Sequence, residues 1–176
     1  MVASVVYSYR RGTLDMKYFL LMLLVLLGCN TINSTKQEIV FVMTEDDITK
    51  YPKIVTGIEQ ARKEWSEALG IDIAIISGEP NLTSVHLDIR DNLTFIGPEV
   101  IGAWMEQTNS LVLDSSFIDS EDIARAVTLH EMGHYFGVPH LESDETLIMH
   151  PVVSMKNLNS KLHPVEIRIA HAKLFR

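Results

Sequence analysis

The chain has one cysteine, Cys29, in 176 residues. That excludes an intramolecular disulfide, a redox cysteine pair and a cysteine-ligated zinc ribbon. Positive charge is scarce as well, with 15 Lys and Arg against 23 Asp and Glu and a net charge of −8. So acidic a chain repels a phosphate backbone, and nucleic acid is not an expected partner. Repeats and low-complexity blocks are lacking. The one long apolar run, Tyr18 to Leu27, has about half the residues that a bilayer span requires. What is left has the length and composition of one globular domain, able to bury a core without staples.

The apolar run has the layout of a secretory signal. Lys17 precedes it and Gly28-Cys29 follows it, so residues 1–28 read as a signal peptide. The start is either an extended leader from Met1 or a shorter one from Met16. Arg10, Arg11 and Lys17 lie in this leader with Asp15 as its only acid, so the remainder is more acidic still. Leu26-Leu27-Gly28-Cys29 resembles the lipobox of bacterial lipoproteins. For a bacterial source the resemblance implies lipidation of Cys29, which becomes the mature N-terminus and anchors the protein at the cell envelope. For any other source the chain is expected to be secreted. Residues 29–37 are polar and read as a tether, leaving 38–176 as the folded domain.

Glu38-Ile39-Val40-Phe41-Val42-Met43 is a short β-forming run and reads as a buried strand. Thr44 to Lys50 reads as a polar loop. Pro52 is suited to open a helix. Ile54, Ile58, Ala61, Trp65 and Leu69 then mark one helical face, with Gly70 as the stop. Further strands are expected at Ile71–Ile76, Ser84–Arg90, Val100–Met105 and Ser110–Leu113, the last two joined by a turn at Thr108-Asn109. Asp119 or Ser120 caps a second long helix, with Glu121 and Asp122 in its first turn, where the helix dipole favours acids. Ile123, Val127, His130 and His134 share one of its faces. A last helix starts near Pro164, with Val165, Ile169 and Ala172 on one side. The strand–helix–strand opening predicts parallel pairing of the first two strands, within a mixed sheet packed by helices.

Chemistry concentrates in His130-Glu131-Met132-Gly133-His134-Tyr135-Phe136-Gly137-Val138-Pro139-His140. His130 and His134 stand one helical turn apart, so both rings can meet one metal ion. Glu131 is rotated about 100° from His130, out of line as a ligand but able to reach a water on that ion. Gly137 permits the left-handed turn that ends a helix, after which His140 can approach from another side. Three neutral imidazoles with one open position are the donor set of a catalytic zinc site, and nitrogen donors favour Zn2+ over magnesium or calcium. Chance produces such a pattern about once in a million windows at average composition.

This stretch resembles the extended zinc motif of the metzincin endopeptidases, residue for residue. Leu147-Ile148-Met149-His150-Pro151 resembles their Met-turn, in which Met149 shapes the floor of the site. Among metzincins the likeness is to matrixins: Leu162-His163-Pro164-Val165-Glu166-Ile167 resembles the start of their final helix, and Ser110 to Asp114 the strand before the active-site helix. The resemblance implies an α+β, zincin-like fold. It has a mixed, mostly parallel five-stranded sheet, an amphipathic helix, an active-site helix and a C-terminal helix. It also implies a zinc-dependent endopeptidase acting on extended protein or peptide substrates, with His130, His134 and His140 as ligands, Glu131 as acid–base catalyst, and a monomeric state. The alternatives are a non-catalytic zinc-containing binding lipoprotein and a zinc amidase acting on a non-protein amide.

The chain also departs from matrixins. His150 replaces their tyrosine, Pro151 stands where some metzincins place a tyrosine ligand, and Leu141 follows the third histidine. No counterpart of the cysteine switch is present, so latency by that route is not expected. His86 and Asp88 share a strand face; a plain sheet face is the preferred reading over a structural zinc half-site. His150, His163 and His171 read as packing, surface or helix-end residues. Val100 to Met105 is either the edge strand that pairs with substrate or an ordinary hairpin strand carrying Trp104 into the core.

Overall fold

The computed structural model describes residues 38–79, 84–94, 96–97, 99–154 and 156–176. The expected signal peptide, Cys29 and the tether lie outside the described residues. In chain order the described elements are β1 (Glu38–Met43), α1 (Glu45–Lys50), α2 (Pro52–Leu69), β2 (Asp72–Ser77), β3 (Val85–Arg90), β4 (Gly102–Met105), β5 (Ser110–Asp114), α3 (Glu121–Tyr135) and α4 (Pro164–Leu174). The strands form one sheet in the order β2-β1-β3-β5-β4. The pairs β1–β2, β1–β3 and β3–β5 are parallel, and β4 runs antiparallel to β5 at the edge. The expected α+β class and mixed, mostly parallel five-stranded sheet are therefore present. Among the described residues no helix is long and apolar enough to cross a membrane.

Burial follows the sequence pattern. In β1, Phe41, Val42 and Met43 are almost wholly enclosed, as expected for a strand covered on both faces. In β3, Val85, Leu87 and Ile89 are buried while His86 and Asp88 are half-buried. On α2 the five residues marked by periodicity, Ile54, Ile58, Ala61, Trp65 and Leu69, are all buried, and Gly70 closes the helix at φ 66°.

Several boundaries differ from expectation. Thr44 to Lys50 is not a loop: Glu45–Lys50 form α1, with the Thr44 hydroxyl accepting from the Asp47 N–H at 3.1 Å and three acids in the first turn. None of its residues is buried, so hydrophobic periodicity carries no trace of it; capping forms it. β2 starts at Asp72, because the Ile71 carbonyl accepts from the Ser66 hydroxyl at 2.6 Å and belongs to the exit from α2. β4 starts at Gly102 rather than Val100, just after Glu99 turns the chain at φ 67°. The β4–β5 link contains a short 3-10 turn, Glu106–Thr108, before Asn109 at φ 50°. On α4, Ala172 is exposed; the buried residues are Glu166 and Ala170.

Three contacts set α3 against α2. Gly57 lies where the helices cross: a Cβ there would fall 2.5 Å from both Ala124 Cβ and the Glu121 carbonyl oxygen. Further along, the buried Trp65 donates its indole N–H to the Leu129 carbonyl at 3.0 Å and packs on Phe136. At the partly buried rim, Arg125 grips Glu64 with two nitrogens, at 2.5 and 2.8 Å, and donates to the Leu158 and Ser160 carbonyls. A planar guanidinium can satisfy all of these at once.

The crossing generates a prediction. Alanine is intrinsically about 1 kcal/mol better than glycine inside a helix, yet Gly57→Ala should lose roughly 1–3 kcal/mol of stability through overpacking. Urea unfolding of parent and variant checks this. A stabilised variant would show that the helices move apart at no cost.

Candidate metal centre

Helix α3 is fixed at both ends. The Ser120 hydroxyl caps it by accepting from the Ile123 N–H, with Glu121 and Asp122 in the first turn. At the far end the Gly137 N–H donates to the His134 carbonyl and the Val138 N–H to the Gly133 carbonyl, with Gly137 at φ 79°. This turn reverses the chain and brings His140 back over the helix.

The three expected ligands meet. His134 Nε2 lies 3.1 Å from both His130 Nε2 and His140 Nε2, and the latter two are 3.2 Å apart. The other ring nitrogens are committed to the backbone: His130 Nδ1 faces the Ile148 carbonyl at 2.8 Å and His134 Nδ1 faces the Val138 carbonyl at 2.9 Å. A carbonyl only accepts, so each Nδ1 carries the proton and each Nε2 presents a lone pair. These rings are a donor group that could hold a metal ion. Burial reinforces the neutral state. It pushes the His130 pKa down to about 4 against the opposing pull of the Ile148 carbonyl, and it lowers that of His134.

Glu131 is almost fully buried beside them. Burial raises its pKa to about 8, with the Trp104 main chain acting in the opposite direction. Glu131 and the three histidines line a cleft of about 670 Å³, together with Gly102–Trp104 of β4 and Pro151–Val153. β4 is thus both a hairpin strand and the sheet edge beside the cleft. Trp104 is half-buried, packed edge-on against Tyr135 at 5.1 Å between ring centroids.

The 147–150 turn forms the underside. Met149 is fully buried, with its Sδ and Cε so close to Gly133 that no side chain fits at 133. Its carbonyl accepts from the Leu141 N–H at 2.9 Å, so the segment carrying His140 is tied to the same turn that orients His130. Sequence reasoning missed Glu166. This fully buried carboxylate accepts from the Met149 N–H at 2.8 Å through Oε1 and from the His163 N–H at 2.6 Å through Oε2. The readable signal was its place three residues after the helix cap, where a capping-box glutamate sits; its second contact is tertiary.

Other singled-out residues stay apart from the centre. Among the described residues no second group of metal donors forms around His86 and Asp88. Asp88 pairs with Arg90 at 2.5 Å, while His86 Nε2 is buried without a hydrogen-bond partner. His150 Nδ1 accepts from the Val152 N–H at 3.3 Å, His163 caps α4, and the exposed His171 packs against Phe175. No protein-family model matches this chain, and no curated protein matches it.

The centre yields two predictions. In metal-free protein, His130 has a pKa of about 4 against 6.5 unfolded, and Glu131 about 8 against 4.5 unfolded. Below pH 6.5 the unfolded chain takes up the proton that His130 refuses, so this histidine destabilises the fold progressively down to about pH 4. Glu131 acts oppositely: the fold keeps its proton, and the stability this contributes is lost as pH rises towards 8. Between pH 6.5 and 8 only Glu131 acts, so stability should fall by about 2 kcal/mol. Chemical denaturation of the apoprotein across this range measures it, and Glu131→Gln should flatten the fall. Separately, Glu166→Ala leaves two backbone N–H groups without their acceptor. It should lose roughly 2–4 kcal/mol of stability and weaken metal binding in a competition titration. Equal metal affinity would show that the turn holds its shape unaided.

Proposed function

We propose that the protein is a zinc-dependent endopeptidase of the matrixin-like metzincin kind, with a zincin-like fold. His130, His134 and His140 hold the ion, and Glu131 is the general base and acid. The observation that carries this reading is the convergence of three Nε2 atoms beside a buried carboxylate inside an open cleft. The spacing fits the ion. Zn–N bonds of about 2.0–2.1 Å in tetrahedral geometry set the nitrogens about 3.3–3.4 Å apart, and the cluster has them at 3.1–3.2 Å. An all-imidazole donor set favours zinc over oxygen-seeking cations.

When bound, zinc at three protein ligands supplies Lewis acidity towards a carbonyl oxygen and acidifies water at its open position. Glu131 holds its proton in the metal-free protein and gives it up beside a cation, since opposite charge favours the ionised form. The carboxylate then accepts a proton from the attacking water and passes it to the nitrogen of the leaving amine. The free edge of β4 suits an extended peptide, which it would bind through main-chain hydrogen bonds, and Pro151–Val153 would shape the cleft around the substrate side chains. The Leu26-Leu27-Gly28-Cys29 sequence supports export with lipid attached at Cys29; the intact mass of protein taken from its native membrane tests this.

The purified domain should contain about one zinc per chain. Glu131→Gln preserves size but cannot take the proton, so it should retain zinc and lose casein-cleaving activity by roughly two to four orders of magnitude. His134→Ala should lose the zinc itself. Elemental analysis and a casein digest read both. A Glu131→Gln protein that cleaves as fast as the parent would refute the acid–base assignment.

A further inference from the structure

Gly102 opens the edge strand β4. A Cβ built there would lie 2.6 Å from Val127 Cγ1, 3.1 Å from Glu131 Cγ and 3.2 Å from Glu131 Oε1. Its φ is not left-handed, so the position asks for space rather than for the conformational freedom of glycine. Val127 and Glu131 are four apart on α3 and lie on one face of it. The bare backbone of β4 sits against both. Behind it, β5 fixes the strand, pairing Gly102 with Leu113 and Trp104 with Leu111. Both leucines are fully buried. Trp104 is held in turn by Tyr135, and its main chain acts on the Glu131 carboxylate.

We infer that Gly102 is a positioning residue for Glu131: the absence of a side chain lets the β4 backbone press on the carboxylate and fix its direction within the cleft. The inference rests on Glu131 being the acid–base group. A Cβ at 102 meets Val127 Cγ1 first, so Val127 or β4 must yield, and it crowds Glu131 Cγ and Oε1 enough to shift the carboxylate by a few tenths of an ångström. Misplacing a reacting group by an ångström can cost about a hundredfold in rate, and this smaller shift costs a part of that.

The test is a cycle of Gly102→Ala, Val127→Ala and the double variant, each loaded with zinc and assayed on a fluorogenic peptide derived from casein. Gly102→Ala should bind zinc stoichiometrically, since no ligand is altered. It should melt at a lower temperature and lose roughly 10- to 100-fold in kcat, with KM little changed. The double variant lacks the atom met at 2.6 Å but keeps both contacts with Glu131. Its Tm should therefore return to that of Val127→Ala while its kcat stays low. If kcat recovers together with Tm, Gly102 only packs, and the inference is wrong. If the zinc-loaded parent cleaves no peptide at all, the peptidase reading fails and a measurement on metal-free protein decides the positioning. The Trp104 main-chain amide resonance of Gly102→Ala should move towards its position in Glu131→Ala. A resonance that stays at the parent position overturns the inference.

Discussion

Three ring nitrogens are held within 3.2 Å of one another, and those of His130 and His134 each present a lone pair. One cation placed between them could be held by all three. The fold enforces the approach through the backbone. The Ile148 and Val138 carbonyls take the Nδ1 protons of His130 and His134, which fixes both tautomer and ring direction. Burial then keeps His130 neutral well below the usual histidine range.

Helix α3 bears that load, and it is gripped along its length. At Ala124 it meets Gly57 of α2, at Val127 and Glu131 it meets Gly102 of β4, and at Gly133 it meets Met149. In each case one partner lacks a side chain, and the other approaches closer than any Cβ would allow. Close-packed contacts of this kind are stiff, so the helix has little freedom to slide or rotate. The turn below is equally constrained: His130 and Glu166 engage the two ends of the Ile148–Met149 peptide group, and the Leu141 N–H engages the Met149 carbonyl. The histidine cluster, the cleft floor and the C-terminal helix therefore form one mechanically connected unit.

The electrostatics of this unit oppose each other. Burial disfavours the charged form of Glu131, His130 and His134, which raises the pKa of the first and lowers those of the other two. Metal-free protein at neutral pH thus keeps His130 and His134 neutral next to a protonated Glu131. A divalent cation reverses the preference at the carboxyl group while matching the neutral imidazoles. The site is tuned for a positive charge that the polypeptide does not itself provide.

The sequence by itself determined the chemistry. Histidines one turn apart, a glycine that ends the helix and a third histidine three residues beyond it leave little choice of arrangement, because helical geometry is local. Local rules also placed α2, its buried face, Gly70, the cap of α3 and the start of α4. Periodicity was blind to α1, which buries nothing, and it misjudged α4, where Ala172 faces solvent and the acidic Glu166 faces the core. Only the tertiary structure decided that Glu166 ties the last helix to the turn under the histidines, that β4 is the sheet edge beside the cleft, and that Gly57, Gly102 and Gly133 mark points of closest approach. Each of these depends on residues far apart in the chain arriving at one place, and spacing along a sequence carries no record of such a meeting.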